Sequence, residues 1–488
     1  MPDSIRAAGG AVLLALLLAT TACAGADDGG GAAPSGADYA PGRPAPEVDT
    51  REDGVSTFAL DVDTGSYTLT RASLTAGALP DPALVRTEEF VNYFRHDYEP
   101  PADGIAIHVD GTVAPFADQP DRFVVRVGLQ AATVEDAARE PANLTFVIDS
   151  SGSMAGGSME MVKVALDRLV TSLRPDDRVA IVTFSDEAAL RLPMTPLTEA
   201  DTVRRVIATL QPLQSTNLEA GLRVGYAHAR EHLRPGALNR VVLLSDGEAN
   251  VGQTDPEVLA RQIAQEAGDD TQLVVVGVGR QTYNDEVLER FADNGNGFYA
   301  YVDTGREIER LFVYDLTGTL RVVARDAKVQ VRFDPELVRS YRLLGYENRQ
   351  LDDEALRDDT VDGGEVGAGH TVTALYEVAL AADPAALPPG TPLATVYLRW
   401  TDPHDGRPVE RQATVTPADL THRFELAPPR LQQDVLVAAF AEALRTGPER
   451  ADLWRLAAEL DRLTGVLRGD PDLDELADLV VIAAGLSG

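Results

Sequence analysis

Four almost continuous apolar runs between residues 141 and 325 constrain the fold more than any other feature of the chain. They read LTFVID, RVAIVTF, RVVLLSD and QLVVVGVG, and a shorter run, FYAYVD, follows them. A strand that is apolar throughout is buried on both faces, which is typical of a parallel sheet covered by helices. The segments between the runs have apolar residues at helical spacing, with helix starts near Ser158, Asn217 and Pro256. The sequence therefore predicts an α/β domain with a doubly wound, mostly parallel sheet.

The regions on either side of this domain follow other patterns. Residues 54–140 combine strand-like runs such as FVVRVGL with the helical segment ALVRTEEFVNYF, and they predict an α+β N-terminal flanking domain. Residues 326–425 alternate apolar and polar side chains, as in HTVTALYEVAL, which is typical of antiparallel strands. Helical repeats of apolar residues occupy residues 429–488. We therefore predict a C-terminal flanking domain over residues 326–488, with antiparallel β structure followed by helices.

The N-terminus carries the features of an export signal. The apolar stretch Ala11–Ala19 is too short to span a bilayer and suits a secretory signal peptide. Cys23 follows it closely, and a lone cysteine in an exported protein needs a use other than an internal disulfide. Residues 1–24 resemble a bacterial lipoprotein signal, although Thr20 stands where that family usually has leucine. The resemblance implies that Cys23 is acylated and anchors the protein at the extracytoplasmic face of the cell membrane. Cleavage without acylation, which gives a secreted protein, is the alternative.

Residues 25–53 connect this signal to the first strand-like run. They consist mostly of Gly, Ala, Pro and Asp, and this composition provides too few apolar side chains to bury a core. We therefore interpret the segment as a disordered tether that holds the folded part away from its anchor.

Carboxylate and hydroxyl side chains follow the apolar runs at three places. Asp149, Ser151 and Ser153 follow the run LTFVID, Thr216 lies in the loop QSTNLEAGL, and Asp246 ends the run RVVLLSD. Ligands of open α/β sheets bind at the carboxyl ends of the strands, so we expect these side chains to lie at one edge. All five offer hard oxygen atoms, which suit Mg²⁺ or Mn²⁺. Because only two of them carry negative charge, the cation would keep a coordination position open for an outside ligand.

This constellation resembles the metal-ion-dependent adhesion site of von Willebrand factor type A domains, whose fold is Rossmann-like. The resemblance implies that Ser151, Ser153 and Thr216 bind the cation through their hydroxyls. It also implies that Asp149 and Asp246 act mainly through water and that a partner's carboxylate takes the sixth position. The segments STFALDVDTGSY, EEFVNYF, YRLLGYENRQL and VGAGHTVTALYEV resemble bacterial lipoproteins in which flanking domains stand on both sides of such a domain.

These features together predict a non-enzymatic protein of the cell envelope. We expect a lipoprotein that binds Mg²⁺ or Mn²⁺ and mediates cation-dependent protein–protein interaction or adhesion. The expected partner is a protein that supplies an Asp or Glu carboxylate, and no small-molecule substrate is expected. A formal net charge of −34 repels phosphate backbones, so nucleic acid is not expected as a partner either.

Two alternatives remain open. The segment HAREH fits the H-x-x-E-H pattern of zinc peptidases, with His228 and His232 one helical turn apart and Glu231 beside them. The chain would then be a secreted zinc peptidase. In the other alternative the protein is an envelope scaffold, and an acidic residue from residues 54–140 or 326–425 occupies the metal in cis.

Overall fold

The computed structural model describes most of the chain from residue 44 to residue 487. The ranges outside the described residues are 1–43, 61–63, 118–120, 134–139, 247–254, 268–270, 280–286, 289–290, 293–294, 296–298, 312–321, 362, 448–449 and 488. The predicted signal, Cys23 and most of the predicted tether thus lie outside the described residues. Among the helices of the described part, none has both the length and the apolar character needed to cross a bilayer.

Within the described part of the chain, strands and helices begin at residue 48. The strands are β1 (Val48–Asp49), β2 (Val55–Ala59), β3 (Ile105–Val113), β4 (Arg122–Ala131), β5 (Ala142–Asp149), β6 (Arg178–Phe184), β7 (Ala188–Pro196), β8 (Leu238–Ser245), β9 (Gln272–Val278), β10 (Tyr299–Val302), β11 (Val322–Phe333), β12 (Val338–Leu344), β13 (Gln350–Leu351), β14 (Gly364–Gly367), β15 (Thr371–Leu380), β16 (Ala394–Thr401), β17 (Pro408–Val415) and β18 (Leu420–Thr421). The α-helices are α1 (Gly65–Thr75), α2 (Thr87–Tyr93), α3 (Ser158–Ser172), α4 (Ala200–Ala208), α5 (Leu218–Glu231), α6 (Pro256–Ala267), α7 (Gly305–Glu309), α8 (Pro429–Thr446), α9 (Arg450–Thr464) and α10 (Pro471–Leu486).

A central sheet of six strands has the order β10-β9-β8-β5-β6-β7. Its strands are parallel except for β7, which pairs antiparallel with β6 at one edge. All eight residues of β5 are buried, as expected for a strand covered on both faces. The prediction of a mostly parallel sheet is therefore confirmed. The sequence analysis missed β7 because an edge strand with exposed side chains such as Leu190 has no continuous apolar run.

Helices cover both faces of the central sheet. Because successive side chains of a strand point to opposite faces, Phe146 of β5 packs in the core with α3 and α4, whereas Val147 packs with α5 and α6. Glycine allows α5 to approach the sheet closely, since a Cβ atom on Gly225 would lie 2.3 Å from the Cγ2 atom of Val147. The domain is doubly wound, and α3 begins at Ser158, as predicted, with Gly157 at its N-cap.

Two further sheets combine the residues before and after the central domain. One has the order β1-β12-β15-β4-β3-β18, and the other has the order β13-β2-β11-β16-β17 with β14 also paired to β11. Strand β2 pairs antiparallel with β11, and β4 pairs antiparallel with β15. The N-terminal and C-terminal flanking segments therefore share both sheets, an arrangement that a division into consecutive domains does not describe.

The shared sheets pack face to face, and five helices cover the outer face of one of them. Phe58, Val127 and Leu398 belong to the apolar core between the sheets. Val124 and Leu375 point to the opposite side and pack with α1, α2, α8, α9 and α10. We call these two sheets and five helices the flanking body. Helix α1 was not predicted, because its threonine-rich sequence has a low helix propensity and its burial in the core stabilises it instead.

Candidate metal centre

The parallel pairing of β5 with β8 brings two of the predicted carboxylates to one edge of the central sheet. Val147 pairs with Leu243 and Ile148 with Leu244, so the two strands end side by side. Asp149 is the last residue of β5, and its side chain is fully buried. Asp246 directly follows β8, and this residue is only 7% exposed.

Hydrogen bonds fix the carboxylate of Asp149. Its Oδ1 atom accepts a hydrogen bond of 2.8 Å from the backbone N–H of Ser151, and its Oδ2 atom accepts one of 2.8 Å from the hydroxyl of Ser245. The hydroxyl oxygens of Ser151 and Ser153 lie 2.8 Å apart. Ser151 is buried, whereas Ser153 is exposed to solvent. The three residues of the D-x-S-x-S run therefore form one connected group at the surface of the sheet edge.

The loop that carries Thr216 is held against the same edge. The backbone N–H of Leu213 donates a hydrogen bond to the carbonyl of Ser150, and that of Asn217 donates one of 2.7 Å to the carbonyl of Ser185. The side chain of Asn217 caps α5 by accepting a 3.1 Å hydrogen bond from the backbone N–H of Ala220. Thr216 is 1% exposed. The loop thus places Thr216 between the end of β6 and the start of α5.

Burial changes the acid–base behaviour of Asp149. The pKa of Asp149 is raised to about 6, mainly by loss of hydration and also by the nearby charge of Asp246, against the lowering effect of the hydrogen bonds from Ser151 and Ser245. Two carboxylates that lie close together and out of water repel each other. A divalent cation bound between them would offset this repulsion. The donor set contains only carboxylate and hydroxyl oxygens, so the residues present fit a hard cation such as Mg²⁺ or Mn²⁺.

A groove with a volume of about 590 Å³ opens at this edge. It is lined by Ser153, Ala155, Gly156, Gly157, Ser158, Met161, Asp246, Val278, Gly279 and Asp303. Small residues keep the groove open, and no heavy atom lies within 4 Å of a Cβ atom built on Gly156 or Gly157. Sequence analysis missed Asp303, although it directly follows the run FYAYV and the rule on strand ends applied to it as well.

The groove also bears on the scaffold alternative, in which a flanking acid occupies the metal. Among the residues that the structure describes, all those that line the groove lie between residues 153 and 303. The described residues of the flanking segments, 54–140 and 326–425, contribute none of its lining.

The HAREH segment lies far from this edge, in the last turn of α5 and directly after it. The possible ligand atoms of His228, Glu231 and His232 lie within 4.8 Å of one another, so the structure does bring the three side chains together. The Nε2 atom of His228, however, accepts a 3.1 Å hydrogen bond from the backbone N–H of Met194. The Nδ1 atom of His232 donates to the carbonyl of His228 over 3.1 Å. Both imidazoles therefore have bonding partners that explain their positions without a metal.

Three family models match the chain. The model of the von Willebrand factor type A domain matches residues 143–313, and one described as von Willebrand factor matches residues 34–125. The third, described as uncharacterized protein YfbK, C-terminal, matches residues 318–462. The chain therefore contains a von Willebrand factor type A domain, here called the A domain, with YfbK-like flanking domains on both sides. This finding confirms the predicted A domain with a flanking domain on each side, and it confirms the predicted fold class.

Individual relatives agree with this assignment. The uncharacterized protein YfbK of Escherichia coli K12 is 35% identical over 364 residues, which are 73% of this chain and 63% of that protein. The inter-alpha-trypsin inhibitor heavy chain H4 of Homo sapiens is 30% identical over 32% of this chain and 18% of its own length. The chain thus spans less than two thirds of the length of either relative. A solved structure described as von Willebrand factor type A from Catenulispora acidiphila has 17% sequence identity and a TM-score of 0.42, covering 80% of this chain and 89% of that chain.

Domains of this class in general mediate metal-dependent protein–protein interaction and commonly bind Mg²⁺ or Mn²⁺. Those general properties agree with the oxygen-rich donor set at the edge of the central sheet.

Mg²⁺ binding is expected to weaken roughly tenfold when the pH is lowered from about 7 to about 5. The pKa of Asp149 is raised to about 6 in the folded protein, so the carboxyl becomes protonated as the pH falls through that value and loses the charge that attracts the cation. Titration calorimetry at both pH values measures the effect. The variant Asp149→Asn serves as the control, because its weaker binding should not change over the same interval. Equal Mg²⁺ affinity of the natural protein at both pH values would contradict this prediction.

Proposed function

We propose that this chain is a lipoprotein of the cell envelope that binds a protein partner through a divalent cation. The cation, Mg²⁺ or Mn²⁺, is held by Asp149, Ser151, Ser153, Thr216 and Asp246. One observation supports the proposal: Asp149, Ser151 and Ser153 form one hydrogen-bonded group, and Ser153 lines an open groove together with Asp246 at the carboxyl edge of the central sheet. The class of domain supports it, because such domains in general act through a metal.

The carboxylates and the hydroxyls of the five site residues have distinct tasks in this proposal. The buried carboxylate of Asp149 is held by two hydrogen bonds, so it can orient the ligands around it without moving. The hydroxyls of Ser151, Ser153 and Thr216 bind the cation without neutralising it. When bound, the cation supplies an electrophilic position for an outside carboxylate. Since only Asp149 and Asp246 carry charge among the five, an acidic group of a partner completes the site.

The groove explains why a protein, rather than a small acid, is the proposed ligand. Its volume of about 590 Å³ exceeds that of one carboxylate side chain and leaves room for the residues next to it. The glycines at one side have positive φ angles, 81° at Gly156 and 134° at Gly157, and form an open wall without side chains. A chain segment that presents an Asp or Glu can therefore lie along the groove while its carboxylate reaches the cation.

The variant Asp149→Ala is expected to lower Mg²⁺ affinity at least tenfold, because it removes the carboxylate that orients the site. Calorimetry with Mg²⁺ and with Mn²⁺ measures this loss, and circular dichroism checks that the fold is kept. The matched control is Asp186→Ala, which removes an exposed aspartate from the loop after the neighbouring strand β6. When the natural protein is immobilised, it should retain envelope proteins in the presence of Mg²⁺ and release them when a chelator is added. The immobilised Asp186→Ala variant should behave in the same way. Unchanged Mg²⁺ binding by Asp149→Ala would refute the proposed site.

The proposed location is the extracytoplasmic face of the cell membrane, with the acyl chains of Cys23 as the anchor. The resemblance of residues 1–24 to a lipoprotein signal supports this location, and acyl chains contribute about 0.8 kcal/mol per buried CH₂ group. In cell fractionation, the natural protein should remain with the membranes, whereas Cys23→Ala should not acquire the lipid and should leave the membrane fraction. A natural protein found only in the soluble extracellular fraction would instead support plain secretion.

The zinc peptidase remains a second candidate because His228, Glu231 and His232 lie close together. We do not favour it, since Zn²⁺ at the Nε2 atom of His228 would have to displace the hydrogen bond from Met194. Metal analysis of protein purified without chelators is expected to find less than one zinc per ten chains. A stoichiometric amount of zinc that is lost in His228→Ala and kept in His404→Ala would favour the peptidase instead.

A further inference from the structure

A third aspartate stands at the edge that carries the proposed metal site. Asp303 directly follows β10, and it therefore lies at the carboxyl end of a parallel strand, as Asp149 and Asp246 do. It lines the same groove as Ser153 and Asp246, and its side chain is 10% exposed. Asp303 is not among the five residues proposed to hold the cation. A carboxylate in this position contributes to the electric field that a cation in the groove experiences.

An arginine from the flanking body holds this carboxylate. Arg71 belongs to α1, its side chain is 5% exposed, and its Nη2 atom forms a short ion pair with Asp303. The Nη1 atom of Arg71 also lies 2.9 Å from the carboxylate of Glu307 and 3.3 Å from that of Glu475. The same atom donates a 3.1 Å hydrogen bond to the hydroxyl of Tyr93. The guanidinium therefore connects the flanking body to the rim of the groove.

The position of Arg71 gives it opposite effects on the two ligands of the site. Its positive charge reduces the attraction between Asp303 and a cation, so it weakens cation binding. It also reduces the repulsion between Asp303 and an incoming carboxylate, so it favours an acidic partner. Buried charges are screened little by salt, so both effects persist at physiological ionic strength.

We propose that Asp303 is a further carboxylate of the cation-binding site and that Arg71 is the positioning residue through which the flanking body sets the strength of that site. The proposal rests on the proposed function, since it concerns the same cation. The flanking body would then influence cation binding through Arg71, a residue that the A domain alone lacks. Arg71 acts on the cation through Asp303, because its guanidinium holds that carboxylate and offsets its charge.

The test measures Mg²⁺ affinity by calorimetry in a double-mutant cycle of Arg71→Met and Asp303→Asn. Asp303→Asn is expected to weaken Mg²⁺ binding about threefold to tenfold, because it removes a negative charge from the groove. Arg71→Met should tighten binding by a similar factor, because it leaves Asp303 without its counter-charge. In the double variant the substitution at Arg71 should no longer tighten binding. Affinity unchanged in Asp303→Asn, or a tightening that persists in the double variant, would overturn the proposal.

Two further variants separate charge from structure. Arg306→Met removes an arginine that pairs with Asp472 and Glu475 in the same interface rather than with Asp303. It should lower thermal stability without changing Mg²⁺ affinity more than twofold. Arg71→Lys keeps the charge and should restore most of the natural affinity. If Arg71→Met does not fold, the Mg²⁺ affinity of Asp303→Asn alone tests the proposal. This substitution is isosteric and keeps a hydrogen-bond acceptor for Arg71, so the variant is expected to fold.

The outcomes also distinguish this proposal from the proposed function. Natural protein that binds Mg²⁺ in a manner dependent on Asp149, together with Asp303→Asn of unchanged affinity, would overturn only the role of Asp303 and Arg71. Natural protein that binds neither Mg²⁺ nor Mn²⁺ would overturn the proposed function, and this inference with it.

Discussion

The parallel pairing of β5 with β8 is the interaction on which the rest of the molecule depends. It aligns the ends of two buried strands, so that Asp149 and Asp246 emerge at the same edge although almost a hundred residues separate them in the chain. The loop with Thr216 is hydrogen-bonded to the end of β6, the other neighbour of β5. A shift of one residue in this register would turn the side chain of Asp149 to the other face and separate the oxygen atoms that form the proposed site.

The burial of Asp149 is what would give the proposed site its affinity for a cation. A carboxylate removed from water loses hydration, which is why the pKa of Asp149 is raised to about 6, and hydrogen bonds from Ser151 and Ser245 offset only part of that loss. The remaining instability of the charged form is available to a divalent ion, which neutralises both neighbouring carboxylates. In the proposed site, the cost of this buried charge to the metal-free domain would favour cation binding, as is common at functional sites.

Local pattern predicted the central sheet well, because a parallel strand buried on both faces is apolar throughout and its loops carry the polar residues. It failed where the local sequence does not determine the structure. Edge strand β7 has no apolar run, and the threonine-rich helix α1 is stabilised by the side chains packed around it. The pairing of β2 with β11 joins segments about 270 residues apart, and no local pattern shows which distant strand is the partner. Arg71 escaped notice for the same reason, since its carboxylate partners are distant in sequence.

Next to the groove, the contact between the flanking body and the A domain is polar. A polar contact of this kind contributes little to the free energy of unfolding. Buried ion pairs lose hydration on both sides, so they add little net stability, but they require one relative orientation of their partners. Arg71 meets Asp303 and Glu307 of the A domain and Glu475 of the flanking body, so a single guanidinium satisfies acids from both parts. A reorientation of the two parts would separate Arg71 from Asp303 and Glu307. The orientation of the flanking body and the charge at the rim of the groove are therefore coupled through Arg71. A force or ligand that reorients the flanking body would also change the charge beside the proposed metal site.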